Sequence, residues 1–72
     1  MLNFDLYAIS NDERNASIKE FFPSFDEAFA SRFKYNNWGD ICIELFKANT
    51  PFTCSHRWLI NPDGSIRAEY NF

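Results

Sequence analysis

Residues 54–72 read Cys54-Ser55-His56-Arg57-Trp58-Leu59-Ile60-Asn61-Pro62-Asp63-Gly64-Ser65-Ile66-Arg67-Ala68-Glu69-Tyr70-Asn71-Phe72. Two apolar-rich runs flank Asn61-Pro62-Asp63-Gly64, which carries strong local turn signals. Asn61 suits the first turn position, Pro62 presets φ at the second, and Gly64 accepts positive φ. A type I turn followed by a left-handed glycine bulge joins the runs into a β-hairpin. Counting outward from Asn61 opposite Ser65 pairs Ile60 with Ile66, Leu59 with Arg67, Trp58 with Ala68, Arg57 with Glu69 and His56 with Tyr70. This register predicts a core face of His56, Trp58, Ile60, Ile66, Ala68 and Tyr70. It predicts a solvent face of Arg57, Leu59, Arg67 and Glu69, with Arg57 and Glu69 as a cross-strand ion pair.

Upstream, Asp40 to Lys47 alternates Ile41, Ile43 and Leu45 with Cys42, Glu44 and Phe46, the period of a strand. Before it, Ser24-Phe25-Asp26-Glu27 is a capping box, and Pro23 stops any strand that precedes it. Phe25, Ala28, Phe29 and Phe33 fall at helical spacing, predicting a helix from Phe25 to about Tyr35. Asp26 and Glu27 sit at its positive end, Arg32 and Lys34 at its negative end. Asn36-Asn37-Trp38-Gly39 ends it in left-handed conformations. At the start, Leu2, Phe4, Leu6 and Ala8 alternate with Asn3, Asp5 and Tyr7, a half-buried strand. Ser10 to Asn15 is a polar connection. Ala16 to Phe22 is a second strand, with Ile18, Glu20 and Phe22 on one face, and Glu20 on that apolar side suggests an edge position or a twist. The expected order is β-β-α-β-β-β. It predicts an α+β fold in which one helix packs on one face of an antiparallel sheet and the other face stays open.

The 72 residues suit one domain spanning 1–72. Small domains bury little of their surface, so this one needs a rich core. Hydrophobic residues make up 46%, with nine Phe, two Trp and three Tyr, and each buried aromatic removes roughly 150–250 Å² from water. Phe4, Phe25, Phe29, Phe33 and Trp58 are expected in the core. The net charge of -3 and pI of about 4.9 argue against simple binding to a phosphate backbone. The stretch Met1 to Ser10 has no basic region or cleavage site, and no run approaches the roughly 18 apolar residues of a membrane span. A cytoplasmic location is expected, with Cys42 and Cys54 reduced.

Catalytic and metal chemistry find little support. Cys42, Cys54 and His56 lack a standard zinc spacing. Cys54 and His56 would share a face of an extended strand, yet a nucleophilic pair also needs an orienting group and an oxyanion site. His56 is better read as packed on Tyr70. The carboxylates Asp5, Asp12, Glu13, Asp26, Glu27, Asp40, Glu44, Asp63 and Glu69 are spread over separate elements. Glu44 and Glu69 could meet only if their strands were neighbours. Gly39 and Gly64 are the only glycines, so no phosphate loop exists. The expectation is a non-enzyme without cofactor or metal.

The aromatic surplus is more telling. Tyr7, Tyr35, Trp38, Phe46 and Phe52 exceed the predicted core. With Arg57 and Arg67 they match the composition of interaction hot spots. In layout, the chain is similar to small proteins of phages and mobile elements, including some anti-CRISPR proteins. Each has a strand pair, a short helix capped by a Ser-x-x-Glu motif with Ala following (Ser24, Glu27 and Ala28), then an antiparallel meander. That resemblance implies a non-catalytic protein that occupies a surface of a larger host machine. The expected function is therefore a small binding protein, an inhibitor or modulator of a larger protein or nucleoprotein complex. Its expected partner-binding residues are Arg57, Leu59, Arg67, Glu69 and Phe46. Two alternatives use the same features: a nucleic-acid-binding module built on aromatics and arginines, and a homodimeric subunit joined through the open face or an edge strand.

Overall fold

The computed structural model describes residues 3–10, 18–38, 41–49 and 53–72, without the side chains of 18, 19 and 35–38. The expectations for Leu2, the connection at 11–15, the helix end at Gly39, and for Asp12, Glu13, Asp40 and Phe52 lie outside the described residues, as do those for the Tyr35 and Trp38 side chains. Among the described residues the chain is an α+β fold of five antiparallel strands and one α-helix: β1 (Leu6–Ser10), β2 (Ile18–Phe22), α1 (Phe25–Ala30) continued by a 3₁₀ helix (Ser31–Trp38), β3 (Ile41–Phe46), β4 (Cys54–Ile60) and β5 (Ile66–Asn71). The sheet order is β2-β1-β3-β4-β5. The helical segment carries the chain from edge strand β2 across one face of the sheet to β3.

The hairpin turn forms as its residues require. The Asn61 N–H donates to Ser65 C=O at 2.9 Å, and the Gly64 N–H donates to Asn61 C=O at 2.9 Å. Asp63 Oδ1 accepts from both the hydroxyl and the N–H of Ser65. These bonds hold the Asp63 carboxyl below its ordinary pKa. Gly64 has φ +94°, and a Cβ there would lie 2.9 Å from Nη2 of Arg32. The turn thus packs against Arg32, at the junction of α1 and the 3₁₀ helix. Gly64→Ala is expected to cost about 1–2 kcal/mol through backbone strain at positive φ. Urea unfolding of the variant checks this through a lowered midpoint at unchanged m.

Beyond the turn the register departs from the count. Ile60 pairs with Ile66, but Leu59 pairs with Ala68, Trp58 with Glu69, Arg57 with Tyr70 and His56 with Asn71. Arg67 is an extra residue, a β-bulge, and every side chain after it changes face. Ala68 and Tyr70 therefore lie on the helix-free face and Glu69 on the helix side, the reverse of the expectation. Ile66 and Tyr70 are exposed rather than core.

A second irregularity lies between β3 and β4. Leu45 pairs with His56 and Phe46 with Cys54, leaving Ser55 unmatched. Its hydroxyl donates to Leu45 C=O at 3.2 Å.

Ser24 caps α1 as its motif predicts. Its hydroxyl accepts from the Glu27 N–H at 3.2 Å and donates to the Glu27 carboxylate at 3.1 Å. The α-helical part ends earlier than expected. The Ser31 hydroxyl donates back to Ala28 C=O at 2.7 Å, a local bond that competes with helical pairing, and the chain tightens to 3₁₀ geometry. At about 120° per residue rather than 100°, Phe33 turns away from the stripe of Phe25 and Phe29. It is 65% exposed, not core as expected.

The core sits between α1 and the sheet. Ile9, Ala28, Ile41, Ile43 and Ile60 are buried, with Tyr7, Phe22, Phe25, Phe29 and Trp58 packed around them. Phe25 and Trp58 meet at 4.7 Å between ring centroids, and Tyr7 stands edge-on to Phe25 at 6.3 Å. Tyr7 and Ile9, not Leu6 and Ala8, supply the core side of β1. Phe4 precedes the strand and is exposed. Among the described residues, no helix is long and apolar enough to cross a membrane.

Candidate functional site: the helix-free face of the sheet

Strand pairing sets one row of side chains across the helix-free face. Ala8 stands opposite Phe21 and Glu44, Glu44 opposite Arg57, and Arg57 opposite Tyr70. The row therefore runs Phe21, Ala8, Glu44, Arg57, Tyr70 across all five strands. Below it lie Ser10, Cys42, Leu59 and Ala68; above it lie Leu6, Phe46 and Cys54.

The floor of this face is closed rather than open as expected. Ala8, Ser10, Cys42, Glu44, Phe46 and Leu59 are buried. Ala8, Ser10 and Cys42 are short side chains set among longer ones. The exposed part is aromatic and lies toward the edges. Phe21 on β2 is 43% exposed, Tyr70 on β5 is 42% and Phe72 is 70%. Tyr70 and Phe72 stack at 6.4 Å, and the Arg57 guanidinium lies 5.1 Å above the Phe72 ring. Phe21 leans on Phe46 at 6.4 Å.

An ion pair occupies the centre. Arg57 donates to Glu44 Oε2 from Nη2 at 2.9 Å and from Nε at 3.2 Å. Desolvation works against the charged Arg57, but the hydrogen bond and charge of Glu44 outweigh it and raise its pKa. A carboxylate held by a guanidinium from two nitrogens is an oriented recognition group.

Two thiols border the pair. Burial, then the Glu44 charge, pushes Cys42 up to about 12, and the same two causes raise Cys54. Both thiols stay protonated at neutral pH, which does not suit a nucleophile. They are free, and the sheet keeps them apart. Cys54 pairs with Phe46, four residues along β3 from Cys42, about 13 Å at a strand's rise per residue. A disulfide needs Cα atoms within roughly 7 Å.

The suspected Cys54–His56 pair is split by the unmatched Ser55. The Cys54 side chain turns to Glu44 on the helix-free face. His56 stands on the helix side, where its ring stacks on Trp58 at 4.1 Å and its Nε2 lies 2.7 Å from Glu69 Oε2. It does not pack on Tyr70. Glu44 and Glu69 lie on opposite faces, so they form no carboxylate pair. Among the described residues, no cluster of three or more His, Cys, Asp or Glu could hold a metal ion.

Of the expected contact residues, Arg57, Leu59 and Phe46 share the helix-free face, but Leu59 and Phe46 are buried in its floor. Glu69 lies on the other face. Arg67 is exposed at the bulge. Arg57 pairs with Glu44, not with Glu69. Sequence reasoning overlooked Phe21, Tyr70 and Phe72. The alternation of Tyr70 and Phe72 was a signal for a shared face, but which face depends on the bulge. No family model matches this chain, and neither the curated proteins nor the solved structures contain a match.

Proposed function

We propose that this chain is a small non-catalytic binding protein that docks on a protein partner through the helix-free face of its sheet. The observation that carries this reading is the exposed stack of Tyr70 and Phe72 beside the Arg57 guanidinium, with Phe21 at the far end of the same row. Aromatic rings and an arginine held in place by a carboxylate supply binding area at low entropic cost. The negative net charge favours a protein partner over a nucleic acid. The layout shared with small phage and mobile-element proteins extends the reading to an inhibitor or modulator of a larger host complex.

Phe21→Ser and Phe72→Ser test the face from its two edges. Arg57→Glu is a poor probe, because it would set two carboxylates together. Both serine variants are expected to fold with unchanged circular dichroism. They should retain a partner captured from host lysate at least about tenfold less than wild type, the loss of one modest hot spot. Equal capture by wild type and both variants would overturn the face. Wild type that binds labelled oligonucleotides at low salt and captures no protein would overturn the partner class.

A further inference from the structure

β5 is an edge strand whose hydrogen-bonding direction can be read residue by residue. It pairs with β4 along one side, and among the described residues no strand pairs with its other side. The Phe72 N–H donates to Ser55 C=O at 3.0 Å. With Tyr70 opposite Arg57 and Ala68 opposite Leu59, antiparallel alternation follows. Ala68, Tyr70 and Phe72 aim their backbone N–H and C=O groups at β4. Glu69 and Asn71 aim theirs at the open edge. Proteins blunt such edges with bulges and charge. Here the Arg67 bulge blunts only the start of the strand. The regular part, from Ala68 onward, carries the exposed Tyr70 and Phe72.

We propose that two copies of the chain pair antiparallel through their β5 edges, about a two-fold axis at Tyr70 that runs perpendicular to the sheet. This proposal stands apart from the choice of contact face above. In this register Glu69 of each copy opposes Asn71 of the other, and each such pair exchanges both backbone hydrogen bonds using the groups that point outward. The Glu69 carboxylate can accept from the Asn71 amide of the second copy. Tyr70 meets its own symmetry mate at the close, non-hydrogen-bonded separation. Ala68 opposes Phe72, small against large.

The registers centred on Glu69 and on Ala68 are worse. Centring on Glu69 sets two carboxylates directly opposite each other, which is destabilising. Centring on Ala68 brings the Arg67 bulge into the new ladder, and a bulge disrupts pairing. An isologous two-fold contact is also the commonest way for a chain to assemble with itself. The two sheets would become one continuous sheet with its helix-free faces side by side.

The test is sedimentation velocity on the intact chain from roughly 5 to 500 µM, the range in which a small interface dissociates. The mass is expected to rise from 8.5 kDa toward twice that value. Asn71→Glu places two carboxylates opposite each other at both ends of the interface. It should raise the dissociation constant about tenfold or more. Adding Glu69→Lys restores opposite charges across the axis and should return the dimer at least to wild-type strength. Asn71→Pro removes an outward N–H that the molecule's own ladder does not use, so the monomer should fold while the dimer weakens. A wild-type mass constant at 8.5 kDa over the whole range would overturn the proposal. So would an Asn71→Glu dimer as strong as wild type, or a double variant as weak as the single one.

Discussion

Ile43→Ala is expected to remove about 3 kcal/mol of stability, and Phe33→Ala less than about 1 kcal/mol, although phenylalanine is the larger side chain. Ile43 stands at the middle of the central strand β3, with Ile9 on one side and Trp58 on the other. It has no exposed surface. Truncation there loses the transfer energy of the deleted carbons and leaves a cavity walled by a sheet that cannot collapse around it. At roughly 0.05–0.15 kcal/mol per residue, a domain of 72 residues has little stability to lose. The melting temperature should fall by roughly 12–24 °C, since each kcal/mol shifts a domain of this size by about 4–8 °C. Phe33 has been rotated out of the helical stripe by the 3₁₀ turn, and the Arg32 guanidinium lies 4.2 Å above its exposed ring. Thermal unfolding of the two variants side by side measures the contrast. A larger loss for Phe33→Ala would mean that the segment after Ser31 is α-helical and that Phe33 reaches the core.

The contrast shows what kind of information the sequence holds. The turn at Asn61–Gly64 and the Ser24 cap were legible because each depends on a few adjacent residues with special backbone chemistry. Pro62 cannot vary φ, Gly64 accepts +94°, and Ser24 bonds three residues ahead. The element order followed from period-two alternation between such signals. The face assignments failed where one extra residue entered a strand. The bulges at Ser55 and Arg67 are products of pairing between strands, and no local preference marks them. Each reverses every face that follows. That is why Tyr70 was expected in the core, and why Cys54 and His56 were expected side by side. The phase of β1 was illegible for another reason. Both of its faces are partly buried, so alternation could not say whether Ala8 or Ile9 meets the helix. Of the site, Arg57 was legible as an outward arginine. Its partner Glu44 was not, because the Arg67 bulge, which moves Glu69 opposite Trp58, and the pairing of β3 with β4, which sets Glu44 opposite Arg57, are both products of strand pairing.

The Glu44–Arg57 pair carries the second large effect. Glu44→Leu is expected to cost about 2–3 kcal/mol, below the 3–5 kcal/mol of a fully buried pair because Arg57 retains some contact with water. The variant leaves a guanidinium over an apolar floor of Ala8, Leu59 and Phe46 with its main carboxylate gone. Adding Arg57→Met is expected to recover most of the loss, since a well-packed apolar pair often equals or exceeds the ion pair it replaces. Urea unfolding of the wild type, both single variants and the double variant closes a cycle whose coupling energy should exceed about 1 kcal/mol. If the pair contributes so little that an apolar substitute matches it, stability is a poor reason for an oriented charge at the centre of the face. Recognition is the better one, and the double variant separates the two. It should fold as well as the wild type and yet bind a captured partner at least about tenfold more weakly, the scale set by one hydrogen-bonded charge at an interface. A double variant that is both stable and fully competent would leave the aromatic edges, Phe21 on one side and Tyr70 with Phe72 on the other, to carry the contact without the arginine between them.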